Sequence, residues 1–194
     1  METKNSIRKE MLLLRNSMPI EERIFNSRRI KENVLSMDVV INAKTVLCFA
    51  GYGSEVCTME LMEELLRMGK MVFLPRVSGE EMDFYRIGSL DDLEEGYKGI
   101  PEPKKTCTDV FSIGDDKSDE RIVMLMPGAV FSTDGCRIGY GKGYYDRYLA
   151  KCDIMNRIAL CFSMQIREGI PCDIHDKKAS VIVTEKSITE CRKV

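Results

Sequence analysis

An α/β fold, a single three-layer domain with a mainly parallel sheet and helices on both faces, is predicted by three observations. Runs such as TVLCFA, MVFLP, IVMLMP and RIALCF are apolar throughout, as strands covered on both faces must be. Segments of helical period lie between them, so crossovers can join parallel neighbours. The chain has 194 residues, 44% hydrophobic and 31% charged, which suits one well-buried core better than two full domains.

Taken in order, residues 4–17 place Ile7, Met11, Leu14 and Met18 at spacings that make one apolar helical stripe. Lys4, Arg8 and Arg15 fall within about 40° of one another beside it. That basic ridge reads either as the solvated edge of a core face or as a row that meets an anion. A second helix is predicted from Pro19, with Glu21 and Glu22 complementing its dipole. The run 45–50 is a strand, Thr58 caps a helix that Gly69 stops, and 71–75 is the next strand: a βαβ unit. MDFYRI at 82–87 can add a strand, and the polar stretch 104–120 reads as a surface loop. IVMLMP at 122–127 is a strand, YYDRYLAKC at 144–152 a short helix, and RIALCF (157–162) and SVIVTE (180–185) are the closing strands.

Composition narrows the function. A net charge of −2 gives no general attraction to nucleic acid or anionic lipid, so anion recognition must come from local Lys and Arg, which favours a small ligand. No obligate protein partner is implied. No apolar run approaches the ~20 residues of a membrane helix. METKNSIRKE lacks the apolar centre of a secretory signal, so a cytoplasmic location is expected. Eight cysteines include no C-x-x-C pair, and they are expected to be reduced thiols, Cys48 and Cys161 buried among them. The one histidine, His175, excludes a multi-histidine metal centre within one chain and leaves a serine triad a single candidate base.

The segment PGAVFSTDGCRIGYGKGYYDRYL leaves a strand and reaches Gly139, Gly141 and Gly143 just before a helix, where ligands collect in parallel sheets. Glycines let backbone N–H groups approach a ligand, and the helix start adds partial positive charge. Lys142 can act as a mobile point charge and Arg137 as a fork for phosphate oxygens. A Walker A loop would need Ser or Thr after Lys142, where Gly143 stands. A dinucleotide fingerprint would need G-x-G-x-x-G and an acidic residue about 20 positions on, where CFSMQ stands. Either a different phosphate cradle or a glycine-rich connection without ligand remains.

The same run resembles the signature of the 5-formyltetrahydrofolate cyclo-ligase (5,10-methenyltetrahydrofolate synthetase) family. The likeness extends through KNSIRKEMLLLR, FAGYGSEVCTMELMEELLRMGKMVFLPR, IPEP and IPCDIHD, in the family's order and along nearly the whole chain. It implies a Rossmann-like sheet similar to the scaffold of sugar-phosphate isomerases and CoA transferases. It implies ATP- and Mg2+-dependent closure of 5-formyltetrahydrofolate to 5,10-methenyltetrahydrofolate, with ATP and the reduced folate as the small-molecule partners.

By that resemblance, Lys4, Asn5, Ser6, Ile7 and Arg8 contact ATP, as do Arg137, Ile138, Gly139, Tyr140, Gly141, Lys142, Gly143, Tyr144 and Tyr145. Glu55 and residues Tyr140 to Tyr144 reach the folate. Lys142, where many relatives carry Gly, and Arg137 neutralise the transferred phosphoryl group. Asp146 and Asp176 hold magnesium, and a further Asp common in the family is Ser180 here. His175 shapes Asp176. Arg76 and Tyr85 face the folate or else pack, and Ser132 has no assigned role.

Overall fold

In a computed structural model, which describes residues 2–112, 121–152, 154–174 and 176–191, the chain opens with α1 (Lys4–Asn16), α2 (Ile20–Leu35) and the short α3 (Asp38–Ile41). Strand β1 (Thr45–Leu47) leads into α4 (Met59–Arg67), and β2 (Met71–Ser78) turns back as β3 (Glu81–Ile87). The small pair β4 (Leu93–Glu95) and β5 (Pro101–Pro103) precedes β6 (Ile122–Met126). A hairpin, β7 (Val130–Phe131) with β8 (Arg137–Ile138), leads to α5 (Tyr144–Lys151); β9 (Asn156–Leu160), β10 (Val181–Val183) and β11 (Ile188–Glu190) follow.

Seven strands form one sheet in the order β11-β10-β9-β6-β1-β2-β3. The five inner strands are parallel, and β3 and β11 close the two edges antiparallel. Counted along the chain, the parallel strands stand in the order 2-1-3-4-5, the flavodoxin type of winding. That detail replaces the broader expectation of a Rossmann-like sheet. The direction in which strands are added to the sheet reverses between β1 and β6, which lie side by side and parallel with Thr45 opposite Ile122. A crevice must open where their carboxyl ends lead to opposite faces.

Successive residues of each inner strand serve opposite faces. Val46, Val72, Val123 and Ile158 pack with Ile30 and Val34 of α2 and Leu61, Met62 and Leu65 of α4. Leu47, Phe73, Met124 and Ala159 pack on the other side with Tyr148 and Leu149 of α5. Helices therefore cover both faces, as the unbroken apolar runs require. Phe84 of β3 receives α5 through rings, with Tyr148 at 4.8 Å and Tyr145 edge-on at 6.3 Å between centroids. No helix among the described residues is long and apolar enough to cross a membrane.

Some local expectations need correction. The buried stripe of α1 is Ile7, Met11 and Arg15, packed on the β7–β8 hairpin, while Leu14 is exposed. Arg15 wins the inner position because polar partners await it there. Thr58 stands at the start of α4 but does not cap it; its hydroxyl donates to the Phe49 carbonyl at 2.5 Å and accepts from Gly51 N–H at 3.0 Å, shaping the exit of β1. Cys136 and Cys172 are joined in a disulfide instead of standing as thiols, because the fold brings them to a Cα separation of 5.9 Å across 36 residues of sequence. Cys48 and Cys161 are free and buried as expected. Of the polar stretch 104–120, Val110 bridges to Tyr85 and Phe111 packs edge-on against Phe73 at 5.4 Å, so this part lies on β3; residues 113–120 are outside the described ones.

Candidate active site

A cavity of about 520 Å³ occupies the crevice beyond β1 and β6. Its walls come from α1, the exit loops of those two strands, the glycine loop, and the β2–β3 and β4–β5 pairs. One end is charged, lined by Lys4, Arg8, Arg137, Lys142, Asp146 and Asp176. The other is mainly apolar, with Pro75, Val77, Met82, Tyr97 and Ile100 around the carboxylates of Glu55 and Glu102.

The charged end is assembled by ion pairs across the chain. Lys4 Nζ lies 2.5 Å from both Asp173 Oδ2 and Asp176 Oδ2. Burial acts to raise the Asp176 carboxyl, but Lys4 and the Asp173 N–H overrule it and hold it below the usual carboxylate range. Arg8 Nε donates to the Gly139 carbonyl at 2.6 Å, so α1 braces the glycine loop directly. Arg137 is buried; its Nη2 donates to Asp146 Oδ1 at 3.0 Å, and its Nε has no hydrogen-bond partner among the described residues.

The glycine loop has the conformation its composition requires. Gly141 and Gly143 take φ of 90° and 68°, a region that disfavours side chains, and Gly143 opens α5. A Cβ at Gly139 would stand 2.7 Å from Arg137 Nη1. Arg147 secures the outer side: Nη1 donates to the Lys142 carbonyl at 2.7 Å and Nη2 to the Glu80 carbonyl at 2.6 Å in the β2–β3 turn. Tyr144 Oη reaches the neighbouring Gly79 carbonyl at 3.1 Å. Lys142 itself is exposed at the rim, free to move as a point charge.

At the apolar end, Glu55 accepts from Tyr52 N–H at 2.9 Å, with the Tyr140 hydroxyl near enough to favour its anion. Burial pushes its carboxyl up, against the pull of those donors and of Arg15. Glu102 is buried, and burial raises its carboxyl too, opposed by the N–H groups of Val77 and Tyr97 and the charge of Arg76.

Most residues singled out in the sequence therefore meet in one cavity: Lys4, Arg8, Glu55, Arg137 to Tyr145, Asp146 and Asp176 all line it. Asn5, Ser6 and Ile7 do not; Ser6 completes the capping box with Thr3, Asn5 accepts from Arg8, and Ile7 is core. Arg76 and Tyr85 stack on each other, guanidinium to ring centroid 3.5 Å, outside the cavity, and their neighbours Val77 and Met82 line it instead. Ser180 exchanges hydrogen bonds with the Arg157 backbone and is not a lining residue. His175 lies outside the described residues. Sequence reasoning missed Asp173, although an acidic residue three positions before Asp176 was a usable signal. It also missed the apolar wall, for which one sequence carries none.

Among the described residues no cluster of three or more His, Cys, Asp and Glu forms a ready-made metal cage. Asp146 and Asp176 nonetheless offer hard oxygen donors at one end of one cavity, the set that magnesium shares with substrate phosphates.

Comparisons with known proteins identify the family. A family model described as the 5-formyltetrahydrofolate cyclo-ligase family matches residues 1–185. The 5-formyltetrahydrofolate cyclo-ligase of Mus musculus is 29% identical over 198 residues, covering 95% of this chain and 94% of that protein. The solved structure of Aquifex aeolicus 5,10-methenyltetrahydrofolate synthetase superposes with a TM-score of 0.84 at 31% identity, over 98% of this chain and 94% of that one. The Mycoplasma pneumoniae synthetase, at 22% identity with 95% and 99% covered, shares the fold with a TM-score of 0.73.

Proposed function

The chain belongs to the 5-formyltetrahydrofolate cyclo-ligase family, and from that premise we propose that it converts 5-formyltetrahydrofolate to 5,10-methenyltetrahydrofolate in the cytoplasm, consuming ATP with magnesium. The observation that carries this reading is the two-ended cavity: cations and carboxylates at one end suit a nucleotide's phosphates, and apolar walls with the half-buried Glu55 and buried Glu102 at the other suit a flat heterocycle with N–H donors.

The mechanism follows from the chemistry of a formamide. Its oxygen leaves poorly, so it first attacks the γ-phosphorus of ATP; an O–P bond forms, the bond to the bridging oxygen breaks, and ADP departs. N10 then adds to the activated formyl carbon and loses its proton, and the C–O bond breaks to release phosphate and leave the methenyl bridge. Such transfer needs positioning and charge neutralisation more than covalent help. Lys4, Arg8 and Lys142 would bind the phosphates. Lys4 sits on two carboxylates, so its transfer to a phosphate oxygen exchanges one anionic partner for another. Arg137 orients Asp146 and adds fixed positive charge beneath the transferred group. Asp146 and Asp176 would hold magnesium, which would offset charge on the phosphates. Tyr140 to Tyr144 border both ligands, and Glu55 accepts from the folate's donor edge.

The test is a turnover assay with purified protein, magnesium, ATP and 5-formyltetrahydrofolate. Near-ultraviolet absorbance of the methenyl product should rise in step with ADP, and not without ATP. Folded protein that binds both ligands and leaves them unchanged would make this a sensing module instead.

A further inference from the structure

The described residues 167–174 and 176–180, between β9 and β10, form neither helix nor strand, yet they bring Asp173 and Asp176 to Lys4. Among the described residues, 170–178 exchange no backbone–backbone hydrogen bond with the rest of the chain. Side chains hold them instead. Lys4 Nζ takes both carboxylates at 2.5 Å, Lys178 Nζ meets Asp134 Oδ2 at 2.8 Å, and Arg157 Nε donates to the Lys178 carbonyl at 2.7 Å. Lys177 N–H points to Asp146 Oδ1 at 3.4 Å. The covalent tie is the Cys136–Cys172 disulfide, which joins the residue before Arg137 to the residue before Asp173. It clamps the segment that starts the glycine loop to the segment that carries the acids.

Two features mark this bond as one that opens. Cys172 is exposed, and a second cavity of about 540 Å³, lined by both cysteines with Asp134 and Lys178, gives a small thiol a way to the sulfurs. Cys136 is buried, and Asp134 Oδ2 lies 3.3 Å from its Sγ. Half of a disulfide has no proton to give, so that acceptor serves only when Cys136 is a thiol. The fold therefore has a place ready for the reduced state as well as the oxidised one. In the cytoplasm, where the chain is proposed to act, disulfides are as a rule transient or redox-sensing.

We propose that Cys136 and Cys172 form a reversible thiol–disulfide switch on the charged end of the active-site cavity. Closed, the bond holds Asp173 and Asp176 in place before the nucleotide arrives; open, residues 170–178 keep only their side-chain contacts, and ATP must order them as it binds. The consequence for ATP rests on the reading of this end as the nucleotide end. The reductant is a small thiol. Its thiolate attacks Cys172 Sγ; a bond to the reductant's sulfur forms, the Cys136–Cys172 bond breaks, and Cys136 leaves with the electron pair and takes a proton. A second reductant thiolate attacks the first reductant's sulfur in that mixed disulfide, so that Cys172 leaves and is protonated and the reductant ends as its own disulfide. Two thiols thus give two electrons to the pair, and the reductant's disulfide closes it again by the reverse steps.

The test equilibrates the full chain in mixtures of reduced and oxidised glutathione, then alkylates it and maps the labels by peptide mass. Cys136 and Cys172 should convert together in one transition. On reduction, hydrogen exchange at the amides of Asp173, Asp176 and Lys177 should quicken and Kd for a non-hydrolysable ATP analogue should rise, each by about fivefold or more, the lower range of coupling between sites. Exchange in α2 and α4 should stay the same. Cys172→Ser should behave as reduced wild type in every mixture. A pair that stays in one state throughout overturns the proposal, as do equal exchange rates in the two forms, or equal Kd values in protein that binds the analogue. Should neither form bind the analogue, the nucleotide reading fails separately and exchange decides the switch: faster rates on reduction support it, and equal rates overturn it. If Cys172→Ser does not fold, the two forms of the wild type give the same decision.

Discussion

The two ends of the cavity are built on opposite plans. The charged end draws on residues 4 and 8, then 137–146, then 173 and 176, and opposed charges close it across the chain: Lys4 with Asp173 and Asp176, Arg137 with Asp146. The apolar end comes from the middle of the chain, residues 49–55 and 75–102, and the pairing of β2 with β3 and of β4 with β5 frames its outer wall. The contrast teaches that the charged end needs particular atoms at particular places, whereas the apolar end needs a shape that many side chains can supply.

Four substitutions can break or sharpen that contrast. Asp146→Asn should have the largest effect, a loss of turnover of about 100-fold with a higher magnesium requirement, since a ligand carboxylate and the partner of buried Arg137 are altered together. Steady-state rates against magnesium concentration check it. Lys4→Ala should raise KM for ATP by about 10- to 100-fold, the equivalent of about 1.5 to 3 kcal/mol, and leave KM for folate nearly unchanged. Equal changes in both constants would mean that the ends are not separate. Tyr97→Ala removes a ring that is 39% exposed, so it should raise KM for folate about two- to tenfold at little cost in Tm. Lys98→Gly should have the smallest effect. Lys98 holds φ of 58°, alone in that region among the described non-glycine residues, and glycine there should gain up to about 1 kcal/mol in a thermal melt.

The same contrast explains what the sequence disclosed. Unbroken apolar runs announced the inner strands because both faces of each are covered, and the glycine loop announced itself because only glycine tolerates the φ values at Gly141 and Gly143. Lys4, Arg8, Asp146 and Asp176 were legible through the family resemblance; periodicity alone left the ridge of Lys4 and Arg8 as either a solvated edge or a row that meets an anion. Val77 and Met82 were not: the period of β2 and β3 decides which residues face inward, and Arg76 and Tyr85, the more expressive chemistry, turned to each other. Arg15 misled for a related reason. A helical stripe read by hydrophobicity places Leu14 inside, and only the hydroxyls of Ser54 and Tyr140, distant in sequence, make an arginine the better buried residue. The Cys136–Cys172 pairing was beyond reach, because eight cysteines allow many pairings and 36 residues separate these two.

Arg147 holds the Lys142 carbonyl of the glycine loop with one nitrogen and the Glu80 carbonyl of the β2–β3 turn with another. On the proposed function, a nucleotide settling the first segment and a folate settling the second would act on one shared contact. Thermodynamic linkage then makes the influence mutual: the factor by which ATP tightens or loosens folate must equal the factor by which folate tightens or loosens ATP. Measured as two binding isotherms, each with and without a non-reacting analogue of the other ligand, that factor should move toward one when Arg147 is shortened to Ala.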